Sequence, residues 1–113
     1  MYSDRVTRRL QDIVDDAATL ERLLTGIDAD AFVGDDRTVL AVERLLQRIT
    51  EAVIPIGADD MARIAPAISA RQVRDFGNLL RHQYADVDSR VVYTVARENV
   101  PMLAAAAIRA LGD

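Results

Sequence analysis

The chain contains no cysteine and a single histidine, His82. The first absence excludes a disulfide framework, a thiolate nucleophile and a cysteine-ligated metal. The second excludes a zinc site built on several imidazoles. Lysine is missing as well, so every basic side chain is an arginine. Any anion site must therefore use guanidinium groups, which suit two-pronged contacts with phosphate. No apolar run approaches the roughly 20 residues that a membrane-spanning helix needs. The opening residues, MYSDRVTRRL, hold no apolar signal core. A cytoplasmic protein without membrane contact is the simplest expectation. No stretch alternates like a strand, and no repeat or low-complexity linker interrupts the chain.

At 113 residues the chain fits one domain, residues 1–113, with one core. Half of it is hydrophobic and 28% is charged, an ordinary composition for a globular protein. The net charge of −4 gives no overall attraction to nucleic acid, but it leaves room for a local basic site.

Helical periodicity dominates. Val6, Leu10, Ile13, Val14, Ala17, Leu20 and Leu24 recur at three- and four-residue spacing, with Ser3 as a cap and Gly26 as a stop. Asp28 precedes a short turn, ADAFV, which breaks at Gly34. Asp35 or Asp36 can cap a second long helix bearing Val39, Val42, Leu46, Ile49 and Val53, closed by Pro55 and Gly57. DDMARIAP reads as a single turn capped by Asp59 or Asp60. A third long helix starts near Ser69. After Asp86 as a turn and Asp88 as a cap, a last helix starts near Ser89, with Pro101 set to kink it. The expected fold is all-α: an antiparallel bundle of four main helices with one or two extra turns.

The third helix carries the chemistry. At about 100° per residue, Val73, Phe76 and Leu80 share one face, with Leu79 at its edge. Arg74, Asn78, Arg81 and His82 gather opposite. Two guanidiniums, an amide and an imidazole can hold a phosphodiester, with His82 moving protons. That is the minimum for RNA cleavage without a metal, in which the substrate's own 2′-hydroxyl attacks. The same spacing also describes a solvated helix face, with Arg74 and Arg81 paired to Asp75 or to acids of a neighbouring helix.

Pro66 to Leu103, PAISARQVRDFGNLLRHQYADVDSRVVYTVARENVPML, resembles the C-terminal half of the HepT-like (DUF86) proteins of the HEPN superfamily. The shared features are the Pro-x-Ile start, the His-x-Tyr of the third helix, an acidic turn, and a Val-rich helix that ends here in ENVP. The resemblance implies a HEPN-like helical bundle and a homodimer with a site at the shared cleft. It implies a toxin, an endoribonuclease acting on RNA. A minimal nucleotidyltransferase antitoxin would silence it by adding adenylate to the motif tyrosine. No cofactor and no metal are implied. The family's Asn falls on Asn78, its His on His82 and its Tyr on Tyr84. The family's arginine precedes the histidine by five to seven positions, which hold Gly77, Phe76 and Asp75 here. Arg81 is the expected substitute. Arg74, with its Cα about 12 Å from that of His82 along the axis, is expected to bind substrate. Gly77 also fits a close helix contact. The alternative function is a non-catalytic HEPN subunit that docks a nucleotidyltransferase.

Overall fold

The computed structural model describes residues 2–82 and 87–112. All regular structure among them is helical. Three long rods are α1 (Asp4–Leu24), α3 (Asp36–Ile56) and α5 (Ala70–His82). The fourth is composite: α6 (Ser89–Thr94), a π-turn over Val95–Asn99, and α7 (Val100–Gly112). Two short helices, α2 (Ala29–Val33) and α4 (Ala58–Ile64), fill connections. This is the expected bundle of four main helices with two extra short pieces.

The helices start where side chains accept orphaned backbone N–H groups. Ser3 Oγ accepts from the Val6 amide at 3.1 Å, Asp28 from Ala31 at 2.8 Å, Asp35 from Thr38 at 3.2 Å and Asp88 from Arg90 at 2.9 Å. Ser69 Oγ serves Gln72 in the same way at 3.2 Å. The Thr38 hydroxyl also donates to Asp35 at 2.7 Å, and together these bonds hold the Asp35 carboxyl below its ordinary pKa. α4 differs from expectation. It spans seven residues, and its cap is Gly57, not Asp59 or Asp60. Those two acids stand in its first turn, where negative charge suits the helix dipole. α3 runs on past Pro55 to Ile56 and stops at Gly57, whose φ of 88° few side chains tolerate.

The core forms where the periodic faces meet. Leu10, Ile13, Leu20 and Leu24 of α1 bury against Val42, Leu46, Ile49 and Val53 of α3 and against Val92, Leu103 and Ala107 of the last rod. Phe32 of α2 and Met61 of α4 are fully covered. α3 is central: it packs on α1 on one side and α5 on the other.

Pro101 distorts the last rod, and the distortion lies one turn before it. Proline has no N–H for the carbonyl of residue 97 and its ring crowds that oxygen. The chain responds with the wide turn over Val95–Asn99. Arg97, inside this turn, reaches back to α1. Its Nη2 donates to the carbonyls of Leu24 at 2.6 Å and Ile27 at 3.2 Å, and its Nε donates to Tyr93 Oη at 3.2 Å. Tyr93 Oη donates to the Ile27 carbonyl at 2.6 Å. These bonds satisfy the Ile27 carbonyl, just past the end of α1, and add to the Ile27 amide already on the Leu24 carbonyl. Arg97→Ala should therefore lower stability by about 1–2 kcal/mol. Urea denaturation would show an earlier midpoint with an unchanged slope. An unmoved midpoint would mean that water replaces the guanidinium without loss.

Candidate functional site

α5 sits on α3 through an unusually close contact. Gly77 is buried, and a Cβ placed on it would lie 2.4 Å from Thr50 Oγ1 and 2.8 Å from Thr50 Cβ. Thr50 has little room to yield. It is itself buried, and its hydroxyl donates to the Gln47 carbonyl at 2.7 Å. Gly77 thus brings the two helix backbones together, and a side chain at this position would drive them apart. Val73, Phe76 and Leu80 pack beside it, as the periodicity requires.

The other side of α5 holds the four polar residues expected there. Asn78, His82 and Arg74 are exposed, and Arg81 is half-buried at the edge that faces α3. The two arginines, told apart in sequence by their distance from His82, also differ in their surroundings. Arg74 Nη2 lies 3.6 Å from Asp75 Oδ1, its neighbour in the chain, and 55% of the Arg74 side chain is exposed. The Arg81 side chain is only 25% exposed. Arg81 Nη2 donates to Asn78 Oδ1, one turn earlier on the same strip. Arg81 Nη1 lies 3.6 Å from Glu51 Oε1 on α3. Glu51 Oε1 also accepts from Gln47 Nε2 at 3.2 Å. His82 closes the described part of α5, next to Arg81 in the chain and one turn beyond Asn78. Tyr84 and Asp86 lie outside the described residues.

Glu51 and Thr50 carry no signal in the sequence, because both act across an interhelix contact. Beyond Glu51 a shallow cleft continues over α3 and α1, lined by Arg48, Asp16, Asp12 and Arg9. There Arg48 Nε donates to the nearly buried Asp16 carboxylate at 3.1 Å and ties α3 to α1. No group of three or more potential metal ligands occurs among the described residues. None of their helices is long and apolar enough to cross a membrane.

The arrangement of α5 against α3 falls within a region that a known family model covers. The model described as Ribonuclease HepT-like matches residues 7–110. The chain belongs to the HepT-like family of the HEPN superfamily. It is 33% identical over 94 residues to the protein named Probable ribonuclease HepT from Thermococcus cleftensis, across 83% of this chain and 84% of that protein. No solved structure matches the chain. With His82 taken as the family's motif histidine, as the resemblance implies, the motif arginine would fall at or just before Gly77. The contact with Thr50 closes that position to a larger residue.

Proposed function

We propose that the chain is a HepT-like toxin, an endoribonuclease that cleaves RNA without a metal ion. His82, Arg81 and Asn78 form the catalytic set, and Arg74 binds the substrate backbone. The observation that carries this reading is Arg81 held by Asn78 on the strip that ends at His82. In the reaction the 2′-hydroxyl oxygen bonds to the adjacent phosphorus and the bond from phosphorus to the 5′-oxygen breaks. His82 takes the hydroxyl proton or supplies one to the leaving oxygen. Arg81 neutralises charge that builds on the non-bridging oxygens. The products are a 2′,3′-cyclic phosphate and a 5′-hydroxyl. In a homodimer cleft a second His82 would let one imidazole act as base and the other as acid.

A minimal nucleotidyltransferase antitoxin would control the site by transferring adenylate from ATP to the Tyr84 hydroxyl, with pyrophosphate as the leaving group. The added negative charge, two residues from His82, repels an RNA phosphate. If a minimal nucleotidyltransferase gene adjoins that of this chain, incubation with its product, ATP and magnesium should raise the mass by one or more adenylates, and Tyr84→Phe should abolish the gain. A gain that survives Tyr84→Phe would remove this control. The decisive assay for cleavage is purified protein with cellular RNA in a chelator, wild type beside His82→Ala.

One observation favours the second reading, a HEPN subunit that docks a nucleotidyltransferase without cutting RNA. Arg81 already faces a carboxylate, Glu51. Wild type that binds the nucleotidyltransferase but leaves RNA intact would establish it.

A further inference from the structure

The Arg81 guanidinium is gripped from two helices. Nη2 donates to Asn78 on its own helix, and Nη1 faces Glu51 on α3. Glu51 in turn is tied to Gln47 at 3.2 Å. A chain of four side chains, Gln47, Glu51, Arg81 and Asn78, thus crosses from α3 to α5. We infer that Glu51 is a positioning residue: from α3 it fixes the Arg81 guanidinium on the α5 strip, ready for a phosphodiester. The inference rests on the ribonuclease reading and adds to it a residue on another helix.

The physical case begins at Gly77. Because Gly77 has no side chain, α3 meets α5 at Thr50. Glu51 follows Thr50 in α3, and Arg81 stands one turn beyond Gly77 in α5. The closure that shuts position 77 to an arginine is therefore the same closure that sets a carboxylate beside Arg81. A side chain at position 77 would separate the helices and weaken this contact. The glycine and the glutamate then act together to make Arg81 serve where the family's arginine is missing.

An arginine on a surface has many rotamers, and ordering it opposes binding. Stabilisation of a transition state needs the cation to be in place beforehand. One hydrogen-bond acceptor, Asn78, and one carboxylate 3.6 Å away supply that order, and four of the five guanidinium N–H donors remain for an anion. Glu51 has a second effect of opposite sign. Its charge competes with phosphate for Arg81 and weakens RNA binding. Order and charge separate on substitution. Gln at position 51 keeps the acceptor oxygen and removes the charge. Ala removes both.

The test compares wild type, Glu51→Gln and Glu51→Ala in cleavage of a short single-stranded RNA. Nitrogen-15 NMR of the arginine side chains is run on the same proteins, with Arg81 assigned through Arg81→Lys. Glu51 is exposed, so all variants should melt like wild type. Glu51→Ala should lower kcat about tenfold. Glu51→Gln should keep kcat within about twofold and lower KM about threefold. Rotation of the Arg81 guanidinium should be slow in wild type and Glu51→Gln and fast in Glu51→Ala. The inference is overturned if Glu51→Ala keeps wild-type kcat, or if Glu51→Gln loses as much turnover as Glu51→Ala. Wild type that cleaves no RNA would remove the ribonuclease reading, and the NMR result would then decide alone. Equal Arg81 rotation in wild type and Glu51→Ala would refute the positioning, and freer rotation in Glu51→Ala would uphold it.

Discussion

Arg81→Ala and His82→Ala should each reduce RNA cleavage by about 10²-fold or more, while Arg74→Ala should leave most of the turnover. His82 is the chain's only imidazole, and proton transfer in the proposed reaction has no other group of suitable basicity on the strip. Arg81 is the guanidinium that the site immobilises, through Asn78 and Glu51. Arg74 is more exposed and, among the described residues, is paired with its neighbour Asp75. It should contribute as one phosphate contact, so Arg74→Ala should raise KM and reduce the salt dependence of binding by about one unit of slope. Residues that act as one unit do not add, so Arg81→Ala/His82→Ala should be little worse than either single change. Arg81→Ala also leaves Glu51 without a counter-charge beside the phosphate. Arg81→Ala/Glu51→Gln should therefore regain some RNA affinity but no turnover. Single-turnover kinetics on a fluorescent RNA separate the two quantities. Cleavage by Arg81→Ala at the wild-type rate would show that Arg81 does not stand in for the motif arginine.

The parts of this molecule that were legible in sequence are those set by local chemistry. Val39, Val42, Leu46, Ile49 and Val53 repeat with the helical period, and all five are buried. Ser3, Asp28, Asp35 and Asp88 sit two or three residues before the amides they cap, so the signal lies within one turn. The polar strip of α5 was legible for the same reason. Two local readings moved. Gly57 took the cap position that Asp59 or Asp60 was expected to hold, because its left-handed backbone both ends α3 and starts α4. The disturbance from Pro101 fell on the preceding turn, because the group a proline crowds is the carbonyl four residues back. A close contact at Gly77 and an acid of a neighbouring helix beside Arg81 were expected, but which residues would supply them was not legible. Thr50 against Gly77 and Glu51 beside Arg81 depend on how α3 crosses α5, and no periodicity within either helix encodes that crossing. The sequence already set Arg81 nearer His82 than Arg74, but the partner that holds Arg81 emerged only once α3 was placed against one edge of the strip.

Restoring the motif arginine should harm the protein. Gly77→Arg puts a Cβ 2.4 Å from Thr50 Oγ1 and 2.8 Å from Thr50 Cβ, and neither atom is the free end of a flexible chain. The helices must move apart, which loosens Leu46 and Ile49 against Val73 and Phe76. Overpacking of this kind costs about 1–3 kcal/mol. The better helix propensity of arginine returns about 0.8 kcal/mol, so the steric effect wins across that range. The net loss, about 0.2–2 kcal/mol, should lower the melting temperature by about 1–16 °C. Gly77→Ala carries the same Cβ without the charge and should fall in the same direction. Thr50→Gly removes both clashing atoms, so Gly77→Ala should cost less in that background than in wild type, a coupling that only residues in contact show. Activity should fall along with stability in Gly77→Arg, because separation of α3 from α5 also withdraws Glu51 from Arg81. A Gly77→Arg protein that melts at the wild-type temperature and cleaves RNA faster would show that α3 can yield, and that Gly77 is simply a lost catalytic arginine.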